Sequence, residues 1–122
     1  MTKSRDYNQI IERYPRLYRL CKGIDCGDGW FHIIDELSAK LEAMIASMEQ
    51  EFEQSFYATQ VKEKYGTLRF YMSQQTDAID AAIHKAEYLS SKTCDICGKA
   101  GRLRGNHWVQ TLCDKCDEEK KR

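Results

Sequence analysis

Apolar residues recur at helical spacing near the start of the chain. Across residues 5–21, Tyr7, Ile10, Ile11, Tyr14, Leu17 and Tyr18 share one helical face. Pro15 falls inside this pattern; it lacks a backbone donor and crowds the preceding turn, which predicts a break near Tyr14. A glycine-rich loop over residues 23–29 follows, with Asp28 as the expected N-cap of the next helix. That helix is predicted over residues 29–50, where Trp30, Ile33, Ile34, Leu37, Leu41, Met44, Ile45 and Met48 form one continuous stripe. The period then changes to two: Leu68, Phe70 and Met72 alternate with Arg69, Tyr71 and Ser73. Residues 56–63 and 67–72 read as the strands of a β-hairpin, turned by Lys64, Tyr65 and Gly66. A third helix is expected over residues 77–90, capped by Thr76 or Asp77 and burying Ile79, Ala82, Ile83, Ala86 and Leu89.

The pattern predicts an α+β fold. Three helices and a hairpin form a core over residues 1–91, and a smaller unit over residues 92–122 packs against the third helix. At 42% hydrophobic and 31% charged residues, the chain reads as a globular protein rather than a disordered one. Charged residues interrupt every apolar run well short of the ~18 residues that a membrane span needs. The polar opening segment has no apolar stretch of a signal peptide behind it, so the expected compartment is the cytoplasm, where thiols stay reduced.

Net charge is zero but unevenly spread. Residues 1–40 carry +1, residues 41–90 carry −4 and residues 91–122 carry +3, by count of Lys and Arg against Asp and Glu. A protein that binds by neutralising many phosphates has a larger basic excess.

Four of the six cysteines change the picture most. Cys94 and Cys97, fifteen intervening residues, then Cys113 and Cys116 form the C-x2-C-x15-C-x2-C spacing of a zinc site. Each pair turns two sulfurs toward one point, and Gly98 lets the chain fold back behind the first. Two pairs complete a tetrahedron of soft ligands suited to one zinc ion, or to mononuclear iron. Four thiolates leave no position for a catalytic water, so the expected role is structural and no enzyme activity is expected. A Gly105-Asn106 turn would join two short strands between the pairs. If the last pair opens a helix, the unit is treble-clef-like; if it lies in a turn, it is a zinc ribbon. Cys21 and Cys26, with His32 beyond, lack a fourth ligand and read as free thiols.

Two stretches carry a family resemblance. Residues 60–71 (Gln-Val-Lys-Glu-Lys-Tyr-Gly-Thr-Leu-Arg-Phe-Tyr) and the cysteine segment through Trp108, Thr111, Leu112, Cys113, Asp114 and Cys116 resemble an uncharacterised family of small bacteriophage and prophage proteins. Asp28-Gly29-Trp30-Phe31 at the head of a long helix fits the same family, so the match covers roughly residues 26–117. The resemblance implies a viral accessory protein acting in a bacterial cytoplasm on a host or viral protein, for example by inhibiting a defence or regulatory complex. Residues 112–120 are also similar to the closing segment of HNH-type nucleases, in which a cysteine pair is followed by His-x-x-Lys. Here Asp117 stands in the histidine's place, and Asn106-His107 only echoes the paired Asp-His, so most of that machinery is missing.

The candidate interaction surface comprises Lys62, Lys64, Tyr65 and Arg69 on the hairpin and Arg102, Arg104, His107 and Trp108 between the cysteine pairs. On the hairpin, alternating basic and aromatic side chains suit nucleic acid, and equally suit a solvated strand face. Trp108 is either an interface anchor or packs over the metal site or onto the third helix. Zero net charge favours a protein partner over nucleic acid; a metal-dependent nuclease is the third reading.

Overall fold

The computed structural model describes residues 7–121. The chain breaks at Tyr14, between helices α1 (Asn8–Arg13) and α2 (Pro15–Tyr18), with Pro15 in the first turn of α2. Its missing N–H costs nothing at that position. A two-residue strand β1 (Ile24–Asp25) lies within the glycine-rich loop, and a 3-10 turn (Asp28–Trp30) leads into the long helix α3 (Phe31–Ala46). Asp28 does not cap α3: it lies inside the 3-10 turn, whose N-cap residue is Gly27, and no side chain caps either element.

Helix α3 ends at Ala46, short of the expected residue 50, and the Ser47 hydroxyl donates back to the Met44 carbonyl at 2.7 Å. Met48 still packs against the core from beyond the helix end, so the apolar period runs on where the helix does not. A short helix α4 (Gln50–Glu53) follows, with no buried side chain.

Strands β2 (Ala58–Lys64) and β3 (Thr67–Met72) pair antiparallel, with Lys64 opposite Thr67. The two residues between them, Tyr65 and Gly66, both have positive φ (+54° and +86°), as a tight turn matched to strand twist requires. Strand β1 joins the other edge of β2 in parallel, giving the order β1-β2-β3. Helix α5 (Asp77–Ser90) is capped by Thr76, whose hydroxyl accepts from the Ile79 amide at 3.1 Å.

The helices α2, α3 and α5 cover one face of this sheet. Trp30, Ile34, Leu37, Leu41 and Ile45 meet Val61, Leu68 and Phe70 from the sheet and Ile79 and Ile83 from α5. Each such fully buried side chain stabilises the fold by ~1.5–3 kcal/mol. Leu89, expected in the α5 stripe, is 39% exposed, and Ser90 takes the buried position. Its hydroxyl accepts from the Leu68 amide at 2.9 Å and donates to the Glu87 carbonyl, satisfying a backbone group at the start of β3.

The remaining chain forms a small antiparallel pair, β4 (Arg102–Arg104) and β5 (Gln110–Leu112), and a last helix α6 (Asp114–Lys120). No helix among the described residues is long and apolar enough to cross a membrane.

Candidate metal centre

The first cysteine pair lies in a tight backbone loop. The Cys94 amide donates to the Lys99 carbonyl (2.7 Å), the Gly98 amide donates to the Cys94 carbonyl (3.0 Å), and Thr93 bridges to Ala100. These bonds close the chain around residues 94–99 and turn both sulfurs the same way. The second pair enters through a helix start. Cys113 is the N-cap residue of α6, its sulfur accepts from the Cys116 amide (3.4 Å), and Cys116 lies in the first turn.

All four sulfurs lie within 4.8 Å of one another, and those of Cys97 and Cys113 are 3.6 Å apart. Sulfurs around a metal with bonds of ~2.3 Å form a tetrahedron with edges of ~3.8 Å, so the cluster fits one ion. It does not fit a disulfide, which needs sulfurs at ~2.05 Å. Cys94, Cys113 and Cys116 are buried, while Cys97 is exposed. The Cys116 amide, aimed at the Cys113 sulfur, lowers that thiol to about 7. Burial pushes the Cys97 and Cys116 thiols up. A bound cation overrides that burial effect, because coordination requires the thiolate.

The cysteine unit is fastened to the core at two places. At the first, the Gly29 amide donates to the Asp95 carbonyl (2.9 Å), and the Trp30 indole N–H donates to the Thr93 carbonyl (2.9 Å). A side chain at Gly29 would overlap the Cys94 carbonyl oxygen, so only glycine permits this approach. At the second, the buried Thr111 hydroxyl donates to the Gly66 carbonyl at 2.6 Å, joining β5 to the turn of the first hairpin.

Asp95 carries no signal in the sequence, yet it is 6% exposed and accepts from the Gln110 side chain at 2.9 Å. Burial raises its carboxyl above the ordinary range. Arg104, expected on an interaction surface, is committed internally: its guanidinium donates to Asp114 (2.6 Å), Asp117 (3.0 Å) and the Leu112 carbonyl (3.0 Å), clamping β4 to α6. Asp117, which stands where an HNH nuclease has histidine, is thereby held in ion pairs with Arg104 and Lys121.

The other surface candidates divide into two places. Tyr65 and Trp108 are 72% and 75% exposed around the junction of the two hairpins, where a Cβ on Gly66 would lie 3.2 Å from a Val109 methyl; Leu103, 45% exposed, is not part of the expected surface. Lys64, Arg102 and His107 are exposed nearby in the sequence. Lys62 and Arg69 lie elsewhere, paired across β2 and β3. Cys21 and Cys26 are half-buried and stand outside the cluster, with burial pushing the Cys26 thiol up. Compared with known protein families, curated proteins and solved structures, the chain matches none.

Proposed function

We propose that this chain is a non-enzymatic zinc protein whose four-cysteine unit holds a protein-binding surface in place. The unit reads as treble-clef-like, because a cysteine loop, a hairpin and a helix opened by the second pair follow one another. Zinc is favoured over iron because four thiolates in a closed shell serve it as a purely structural ion. Cobalt exchange and metal analysis of purified protein test that choice, since iron would colour the protein.

One observation carries the functional reading: Trp108 is 75% exposed in the loop that joins β4 to β5, and a hydrogen bond from Thr111 ties β5 to the turn of the first hairpin. A large aromatic side chain kept in solvent is the usual anchor of a protein interface, and Tyr65 and Leu103 are also exposed on the two hairpins. What supports a host or viral partner in a bacterial cytoplasm is the resemblance of residues 26–117 to phage and prophage proteins. Inhibition of a defence or regulatory complex is the use that fits this setting.

The test is affinity capture from bacterial lysate with the wild-type chain and with Trp108→Ala and Tyr65→Ala. A stoichiometric protein retained by wild type, lost by both variants at unchanged metal content and rebound after purification, supports the reading. Recovery of the same proteins by all three baits would end it.

A further inference from the structure

We propose that the open face of the β1-β2-β3 sheet binds a short stretch of single-stranded nucleic acid. Side chains alternate across a strand, and Val61, Leu68 and Phe70 point into the helix-covered core. Gln60, Lys62, Lys64, Arg69 and Tyr71 therefore point to the opposite face, and Gln60, Lys64 and Tyr71 are exposed there.

Lys62 stands directly opposite Arg69 in the register. Two like charges directly across a sheet destabilise it. Neither cation belongs to an ion pair among the described residues. The Arg69 Nε is also the one buried side-chain polar atom among them without a hydrogen-bond partner. An unpaired buried donor beside a repelling neighbour is costly, and an anion with several acceptor oxygens relieves both costs. Asp25, in register with Lys62 on β1, is the acidic group on this face, and it leaves the trio one positive charge in excess.

The neighbours of the cation pair select the kind of anion. Tyr71 lies two positions from Arg69 on β3, opposite Gln60. An exposed ring beside two cations that could bind phosphate suits a base that is unpaired and free to stack. The small local excess of charge implies that few phosphates are contacted, which agrees with a chain of zero net charge.

The experiment is fluorescence anisotropy with a labelled oligo-uridine or oligo-thymidine, a duplex of equal length, and a polyglutamate peptide as competitor. Single strands should bind at low salt and lose affinity as salt rises, with a shallow slope of roughly −0.7 per phosphate contacted. Lys62→Ala and Arg69→Gln should each reduce that slope by about one contact's share. Tyr71→Ala should weaken binding by roughly 5-fold or more at unchanged slope. Metal content and Trp30 fluorescence report whether each variant is folded, and Lys62→Ala, on a half-exposed side chain, stands if Arg69→Gln does not. Trp108→Ala should leave this binding intact while abolishing protein capture, so the two surfaces fail separately. Wild-type affinity in Lys62→Ala, equal affinity for the duplex, or displacement by polyglutamate as effective as by unlabelled single strand would overturn the proposal.

Discussion

The helix–sheet core and the cysteine unit reach order by different means. Between Tyr7 and Ser90 the buried set is large and apolar, with Trp30, Leu41, Ile45, Leu68 and Ile79 among the side chains removed from water. From Thr93 to Lys121 the buried cluster contains one aliphatic side chain, Leu112, and three cysteines. Burial on that scale does not offset the conformational entropy of ordering such a segment. A metal bound by four thiolates would, and the hydrogen bonds at Gly29, Trp30 and Thr111 join the unit so ordered to the core. The core can fold because of what it hides; the cysteine unit lacks that resource, and four clustered sulfurs offer a metal in its place.

Removing the metal is the largest expected perturbation of this contrast. Structural zinc contributes about 10–16 kcal/mol in small thiolate folds, so chelation, or Cys94→Ser, should unfold residues 93–121 and leave α3, α5 and the β2–β3 hairpin protected. Amide exchange resolves the two regions, and Trp30, 0% exposed and bonded to the Thr93 carbonyl, reports on the joint between them. Loss of protection throughout the core would show that the metal orders both regions.

The converse variant is Leu41→Ala. Leu41 is fully buried in α3, and truncation there should cost ~2–5 kcal/mol by denaturant unfolding while leaving metal stoichiometry unchanged at low denaturant. A smaller effect belongs to the joint between the regions. Thr111→Val keeps the shape but leaves the buried Gly66 carbonyl without its donor, at a cost of ~1–3 kcal/mol. The change should also raise exchange at the Tyr65–Gly66 turn, because that bond links the two hairpins.

The same contrast explains what could be read in the sequence. Helices α3 and α5 were legible because a helix packed on one side must repeat its apolar face, and the break at Tyr14 was legible because Pro15 has a fixed chemistry. Periodicity failed where geometry changed without a change of pattern: Met48 packs inward after α3 has ended, and Ser90, a polar residue, is buried in place of Leu89. Strand β1 is two residues long and pairs in parallel with a strand far along the chain, so no local signal marks it. The convergence of the four sulfurs was legible from spacing alone, since tandem thiol pairs have few other uses. Its supports were not. Asp95 meets Gln110, and Arg104 meets Asp114 and Asp117, only once the chain has folded around the sulfurs.

Two aspartates of the cysteine unit offer the finest test, because they respond to pH with opposite signs. The Arg104 guanidinium holds the Asp114 carboxyl below its ordinary range, so the folded state releases that proton more readily than the unfolded chain. The stabilisation is complete above the unfolded carboxylate range and is lost as pH falls through the folded value. Asp95 is reversed: burial raises its carboxyl, so its contribution is most favourable below the ordinary carboxylate range and declines as pH rises through the raised value. Asp114→Asn should therefore be less stable than wild type near neutrality and equal to it in acid. Asp95→Asn, which keeps an oxygen to accept from Gln110, should be more stable near neutrality, with the gain vanishing in acid. Comparing each variant with wild type at the same pH, by denaturant unfolding with metal present, removes the acid loss of metal that all three share. Asp114 is exposed and its effect will be the smaller. If both differences had the same sign, the carboxylates would be acting through the shared charge of the unit rather than through Arg104 on one side and burial on the other.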